Sequence, residues 1–189
     1  MVFNFNNSKQ MALGKGDKSS IHSIDEPIVK LCEKINSSDD YFTTSSCSGR
    51  IVLIRDEVKK MPGLFLFRSH DKISFGELRK ELDKLVSEKI EGTVLFKQEP
   101  CLIVVSCVDA ESQWKLFSAA RNNGWKKSGI LSIDKKRLVE LMSSENISFP
   151  VYADGKVLVD DDFLKVVLEK ANGNLEKCWG KIDRLVKLI

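Results

Sequence analysis

The sequence predicts an α+β fold: a mixed, largely antiparallel sheet flanked by about four helices. Two observations carry that prediction. Strand-like runs around residues 41–45, 50–55 and 64–69 lie too close together for helical crossovers, which points to antiparallel pairing. No G-x-G-x-x-G follows a strand, which argues against a Rossmann arrangement; Gly14-Lys15-Gly16 lies in a polar stretch with no strand before it. At 189 residues the chain has room for one domain with a proper core. The expected division is a mobile polar arm over 1–20 and a single α+β domain over 21–189.

The elements follow in order. Asp25-Glu26-Pro27 opens a helix, with Asp25 placed to cap and Pro27 in the first turn. Ile24, Ile28, Leu31, Cys32 and Ile35 share its apolar face, and Asn36-Ser37-Ser38 ends it. Strands are predicted at Tyr41–Ser45, Arg50–Arg55 and Leu64–Ser69, the almost wholly apolar middle one being central. Ser74 and Glu77 make a capping box for a second helix bearing Phe75, Leu78, Leu82, Leu85 and Val86. Thr93–Lys97 and Cys101–Cys107 read as a strand pair turning at Glu99-Pro100.

Asp109 opens a third helix carrying Trp114, Phe117 and Ala120, with Gly124 as its left-handed stop. Trp125–Ile133, Leu138–Ser143 and Ile147–Tyr152 read as further strands, and Asp154-Gly155 is a hairpin signal. Leu164, Leu168, Ala171, Leu175, Cys178, Ile182, Leu185 and Ile189 form a seam on one long helix or two abutting ones. Gly173 interrupts it, so packing within the chain's own domain is expected over a coiled-coil dimer, and a monomer with it.

Composition narrows the functional classes. The chain is 42% hydrophobic and 30% charged, with a net charge of +3, which permits an anionic partner without demanding one. Five cysteines with no C-x-x-C pair argue against a disulfide framework or zinc ribbon, and two histidines make a His-rich metal site improbable. The expectation is therefore no metal. No apolar run reaches the roughly 18 residues of a membrane span, so a cytoplasmic protein without membrane contact is expected.

The segment Thr43-Thr44-Ser45-Ser46-Cys47-Ser48-Gly49-Arg50 is the leading candidate site. Ser and Thr compete for backbone hydrogen bonds, so the stretch is a poor helix, and buried hydroxyls would need partners. Between two strands it would present hydroxyls, amide N–H groups and a guanidinium able to grip a carboxylate or phosphate. The bland alternative is a hydroxyl-rich hairpin with Arg50 ion-paired at the surface. Two residues separate Cys47 from Arg50, whereas a cysteine phosphatase loop needs five.

His70 stands just past an apolar strand, where an imidazole can exchange a proton near neutral pH, or simply be exposed. Glu99 beside the rigid Pro100 is a second acid–base candidate, or an exposed turn carboxylate. Trp125, Lys126, Lys127, Ser128 and Gly129 join an aromatic ring to two cations, as proteins that hold unpaired RNA do, although Trp125 can equally be core.

Taken in order, Lys18-Ser19, Asp25, Thr43 through Ile51, His70, Glu99-Pro100, Cys107, Gly124 through Ile130 and Ala171-Asn172 resemble the wybutosine-synthesising protein 3 family of tRNA methyltransferases. The likeness runs from about Lys18 to the end, and the compact chain is similar to archaeal members. Ser48 stands where relatives can carry Ala, and Trp125-Lys126-Lys127 where some carry Phe-Arg-Asn. The resemblance implies S-adenosylmethionine-dependent methylation at N4 of the demethylwyosine-derived base at position 37 of phenylalanine tRNA.

The resemblance further implies that Ser45, Ser46, Cys47, Ser48, Gly49 and Arg50 bind the cofactor and that His70 or Glu99 serves as base. Lys18, Ser19, Trp125, Lys126, Lys127, Ser128 and Gly129 would hold the anticodon loop. Two other readings are a non-catalytic tRNA-binding module and a Cys47-dependent phosphohydrolase.

Overall fold

The computed structural model describes residues 4–14, 24–57, 62–134 and 136–189. These fall into two compact units: the described parts of 1–48 with 101–144 and 178–189, and of 49–100 with 145–177. The chain passes between units at Ser48–Gly49, Pro100–Cys101, Ser144–Glu145 and Lys177–Cys178.

In the first unit, β1 (Tyr41–Cys47), β5 (Leu102–Cys107), β7 (Arg137–Met142) and β6 (Gly129–Ser132) form an antiparallel sheet in the order β1-β5-β7-β6. Helix α2 (Glu26–Ser37) buries Ile28, Leu31, Cys32 and Ile35, and Pro27 occupies its first turn as expected. Ile24 lies before the helix and is 40% exposed, so it is not part of that stripe. Helix α4 (Ala110–Asn122) starts where Asp109 accepts a hydrogen bond from the Ser112 amide at 2.8 Å. It ends before Gly124, whose φ of +94° is one that L side chains rarely adopt.

The expected strand from Trp125 is shorter than predicted, because Trp125 is wholly buried and pairing begins only at Gly129. Helix α1 (Phe5–Leu13) occupies part of the segment read as a mobile arm. Its sequence is polar, but Asn4 caps it and Phe5 packs on Phe42 with ring centroids 5.2 Å apart. The Lys9 ammonium also donates to the Ser38 carbonyl.

In the second unit, β3 (Phe65–Ser69), β2 (Arg50–Arg55), β4 (Thr93–Glu99), β8 (Ile147–Ala153) and β9 (Lys156–Val157) form a second antiparallel sheet in that order. β2 is interior, as its apolar run predicted. Asp154 and Gly155 both take positive φ, 45° and 85°, the signature of the two-residue hairpin expected there. Helix α3 (Phe75–Ser87) carries the complete Ser74–Glu77 capping box and buries Leu78, Leu82 and Leu85, while Val86 is exposed.

The long helix α5 (Asp161–Val186) is continuous through Gly173. Leu164, Leu168, Ala171 and Leu175 are buried in its second-unit portion, and Cys178, Ile182 and Leu185 join the first unit's core. Each such leucine or isoleucine contributes about 1.5–3 kcal/mol by leaving water. Among the described residues there are thus five helices and two antiparallel sheets, which bears out the α+β class and the largely antiparallel pairing expected.

Two turns explain the split. A tight hairpin needs positive φ at both central residues, or glycine at the first. Ser48-Gly49 has its glycine second, at φ +100°, an order that splays the flanking strands. Pro100 has its φ fixed near −65° and cannot enter such a turn at all. β1 and β2 therefore do not pair, nor do β4 and β5, and each joins its own sheet. The candidate bend is a crossing and not a hairpin.

Candidate active site

The second unit lines up three of the candidate residues. Arg50 opens β2 and stands opposite Glu99 at the end of β4, while Ile51 stands opposite Ser69 at the end of β3. His70 follows Ser69 directly and so comes at the level of Arg50. Arg50 Nε donates to Glu99 Oε2 at 2.5 Å, with the two side chains 25% and 31% exposed. The guanidinium carbon lies 5.0 Å from the Phe65 ring centroid, and that of Arg68 lies 5.7 Å from the same ring.

One row further along the sheet, Arg68 and Lys97 both stand opposite Val52. Residues directly opposite share a face, so this end of the sheet carries three cations and one carboxylate, with the His70 imidazole in the residue that follows β3. An anionic group would be held there by charge and by guanidinium N–H donors other than the Nε that Glu99 engages. A carboxylate with one oxygen committed to a guanidinium is better suited to fixing that guanidinium than to collecting a proton.

The end of β4 is held from beneath. Gln98 is fully buried and its amide nitrogen donates to the Glu99 carbonyl at 2.8 Å and to the Glu145 carbonyl at 3.3 Å. Asn174 in α5, itself buried, donates to the Gln98 side-chain oxygen at 2.8 Å. A buried amide left without partners costs about 1–3 kcal/mol, so this pair fixes the strand end that presents Glu99.

In the first unit, the hydroxyl run is largely committed to structure. Thr43 and Asn36 exchange hydrogen bonds, with the Thr43 amide donating at 2.8 Å and the Asn36 amide nitrogen at 3.1 Å. Thr44 lies at an irregularity in the β1–β5 register, and its hydroxyl donates to the Val104 carbonyl at 3.2 Å. Ser48 is fully buried, and both its amide and its hydroxyl donate to Asp25 Oδ2, at 2.8 and 3.1 Å.

Two expectations are corrected here. Asp25 stands at the N-cap position of α2 but makes no side-chain cap bond; its carboxylate is turned to Ser48. The bend thus presents Ser48's donors to its own anion, so Ser48 is a structural residue and not an oxyanion donor for a ligand. A carboxylate beside Cys47 also repels phosphate, which removes the support for a Cys47 phosphohydrolase. Ser45 is exposed, Ser46 and Cys47 are half-buried, and Gly49 is buried at the crossing.

The proposed RNA contact divides. Trp125 is completely buried in the first unit's core, so its ring offers no face on which a base could stack; this is a correction. Ser128 is buried too: its hydroxyl donates to the Trp125 carbonyl at 2.7 Å and accepts from the Met142 amide at 3.1 Å. Both are tied to holding the loop. Lys126 and Lys127 are exposed, and Gly129 begins β6. Lys18 and Ser19 lie outside the described residues.

Sequence reasoning missed the Gln98–Asn174 pair and the Phe65, Arg68 and Lys97 surroundings of Arg50. A signal existed for the first. Gln98 continues the buried alternation of Val94 and Phe96, and Asn174 sits beside the buried Leu175 of the seam; polar residues at such positions need partners.

Comparison with known proteins bears on this arrangement. The family described as Methyltransferase TYW3 matches residues 6–189. The tRNA(Phe) 7-((3-amino-3-carboxypropyl)-4-demethylwyosine(37)-N(4))-methyltransferase of Methanocaldococcus jannaschii is 34% identical over 175 residues, covering 87% of this chain and 89% of that protein. The tRNA wybutosine-synthesizing protein 3 homolog of Danio rerio is 34% identical, covering 95% of this chain and 72% of that one. The solved PH1069 protein of Pyrococcus horikoshii superposes with a TM-score of 0.83 at 30% identity, covering 97% of this chain and 93% of the other.

Proposed function

The chain belongs to the TYW3 methyltransferase family, and from that premise we propose the substrate, the donor and the residues that do the chemistry. The substrate is phenylalanine tRNA, at N4 of the demethylwyosine-derived base at position 37, which is the reaction that names its archaeal relatives. The methyl donor is S-adenosylmethionine, which when bound supplies an electrophilic methyl carbon on a sulfonium. Among the described residues, no helix is long and apolar enough to cross a membrane.

The single observation that carries this reading is the Arg50–Glu99 pair where β2 begins and β4 ends, with His70 directly after β3. The donor carries a carboxylate, and the guanidinium of Arg50, backed by Arg68 and Lys97 on the same face, fits an anion of that kind. Glu99 holds Arg50 in place. His70 accepts the proton that the acceptor ring nitrogen must release as its new N–C bond forms. Ser45, Ser46, Cys47 and Gly49 are assigned to the cofactor from the family resemblance, with Asp25 fixing Ser48. Lys126 and Lys127, with Gly129 beside them, hold the anticodon-loop backbone; Lys18 and Ser19 remain part of that expectation from the family resemblance. Most of the acceleration comes from holding the reacting atoms close and in line.

The experiment is mass analysis of nucleosides from undermethylated phenylalanine tRNA after incubation with protein and S-adenosylmethionine. A gain of one methyl on the position 37 base is expected; an unchanged nucleoside contradicts the assignment.

A further inference from the structure

Trp114 is 62% exposed on α4, whereas Trp125 is fully buried and Trp179 is half-buried against the core. The exposed ring is not isolated. It lies 5.5 Å from the ring of Phe117, tilted by 38°, and Phe117 is itself anchored against the core. The guanidinium carbon of Arg121 lies 5.7 Å from the Phe117 centroid, and its Nη1 donates to the Lys126 carbonyl at 2.8 Å. Trp114, Phe117, Arg121 and Lys126 therefore make one continuous strip on the first unit.

The charge around it is mostly positive. From Ala110 to Asp134 the sequence holds four cations, Lys115, Arg121, Lys126 and Lys127, against two acids, Glu111 and Asp134, whereas the whole chain has 27 acids against 30 bases. A flat aromatic face in a locally basic stretch matches unpaired nucleotides, whose bases stack and whose phosphates carry the charge. A protein partner would more often meet an apolar patch with mixed-sign rim charges.

We propose that this strip is a stacking platform for single-stranded RNA: Trp114 receives an unstacked base, and Arg121 and Lys126 hold the adjoining phosphates. It rests on the tRNA reading above and adds to Lys126 a contact formed by Trp114, Phe117 and Arg121, which lie outside the motifs that carry the family resemblance.

The test uses the full chain with two probes, an unmodified phenylalanine tRNA transcript and an oligouridylate. Because Trp114 is the exposed indole, both probes should quench its fluorescence. Trp114→Ala should weaken RNA binding about tenfold, Trp114→Phe should restore most of it, and Arg121→Gln should lower the salt dependence by about one ion. In methyl transfer, Trp114→Ala should raise KM for tRNA with kcat unchanged, a split that a merely structural role would not give.

Unchanged RNA affinity in Trp114→Ala, with the wild type binding and methylating normally, overturns the platform alone. A wild type that binds neither probe overturns the platform and the tRNA reading together. A wild-type dimer that Trp114→Ala converts to monomer, with RNA affinity intact, assigns the strip to a second copy and overturns the proposal.

Discussion

Arg50 and Glu99 stand directly opposite each other on neighbouring antiparallel strands, and the guanidinium Nε donates to the carboxylate at 2.5 Å. The pair is a quarter to a third exposed, so solvent screens it and its contribution to stability is small, about 0–1 kcal/mol. Its value lies in orientation. The carboxylate fixes the fork of Arg50, and the buried Gln98–Asn174 amides fix the strand end that carries the carboxylate.

His70 is expected to take the proton from the acceptor nitrogen. His70→Ala should slow methyl transfer at neutral pH by about 10²-fold or more. Binding of tRNA should be unchanged. A full rate would pass the proton to another group.

The Asp25–Ser48 contact is expected to be structural. Ser48→Ala loses one charge-assisted hydrogen bond and should cost about 1–2 kcal/mol, because the amide of residue 48 still donates. Asp25→Ala removes the acceptor that both donors use and should cost about 3 kcal/mol. Urea unfolding measures both; equal losses would mean that the hydroxyl, and not the amide, carries the contact.

Tyr41 and Cys107 stand opposite each other on β1 and β5 and make the fold sensitive to alkali. Burial, with the charges of Asp109 and Asp40 behind it, pushes the Cys107 thiol up to about 12. Burial, with Cys107 and Asp40 nearby, pushes the Tyr41 phenol to about 12 as well. Both groups are therefore kept neutral by folding, and the stability this gives is complete below the unfolded-state values of about 8.5 and 10. It is lost as pH climbs from there toward 12. Urea midpoints should fall between about pH 8 and pH 10.5, and Cys107→Ala should flatten that fall; a midpoint independent of pH in the wild type would contradict it.

What the sequence made legible was local. The capping box at Ser74, the Asp154-Gly155 hairpin, the apolar β2 run and the α5 seam are each specified by residues close together in the chain. The family likeness was legible for the same reason, as ordered motifs. The division into two sheets was not, because strand partners such as Arg50 and Glu99 are 49 positions apart and periodicity says nothing about who pairs with whom. Its cause was nevertheless written in Ser48-Gly49 and Pro100, residues that cannot make tight hairpins. Helix α1 was missed because Phe5 is its one buried side chain and the residues from Asn6 to Gln10 are polar. In the site, the hydroxyl run drew attention that belonged to the charged residues around Arg50, since three of its hydroxyls are tied to Asn36, Val104 and Asp25.

The most direct measurement of the central claim is the single-turnover rate of methyl transfer from S-adenosylmethionine to phenylalanine tRNA by wild type, Arg50→Ala and Glu99→Gln, with circular dichroism on each. Arg50→Ala should lose transfer by at least about 10²-fold and Glu99→Gln should lose less, both folded and within about 1 kcal/mol of wild-type stability. Wild-type rates in Arg50→Ala would show that the chemistry happens elsewhere.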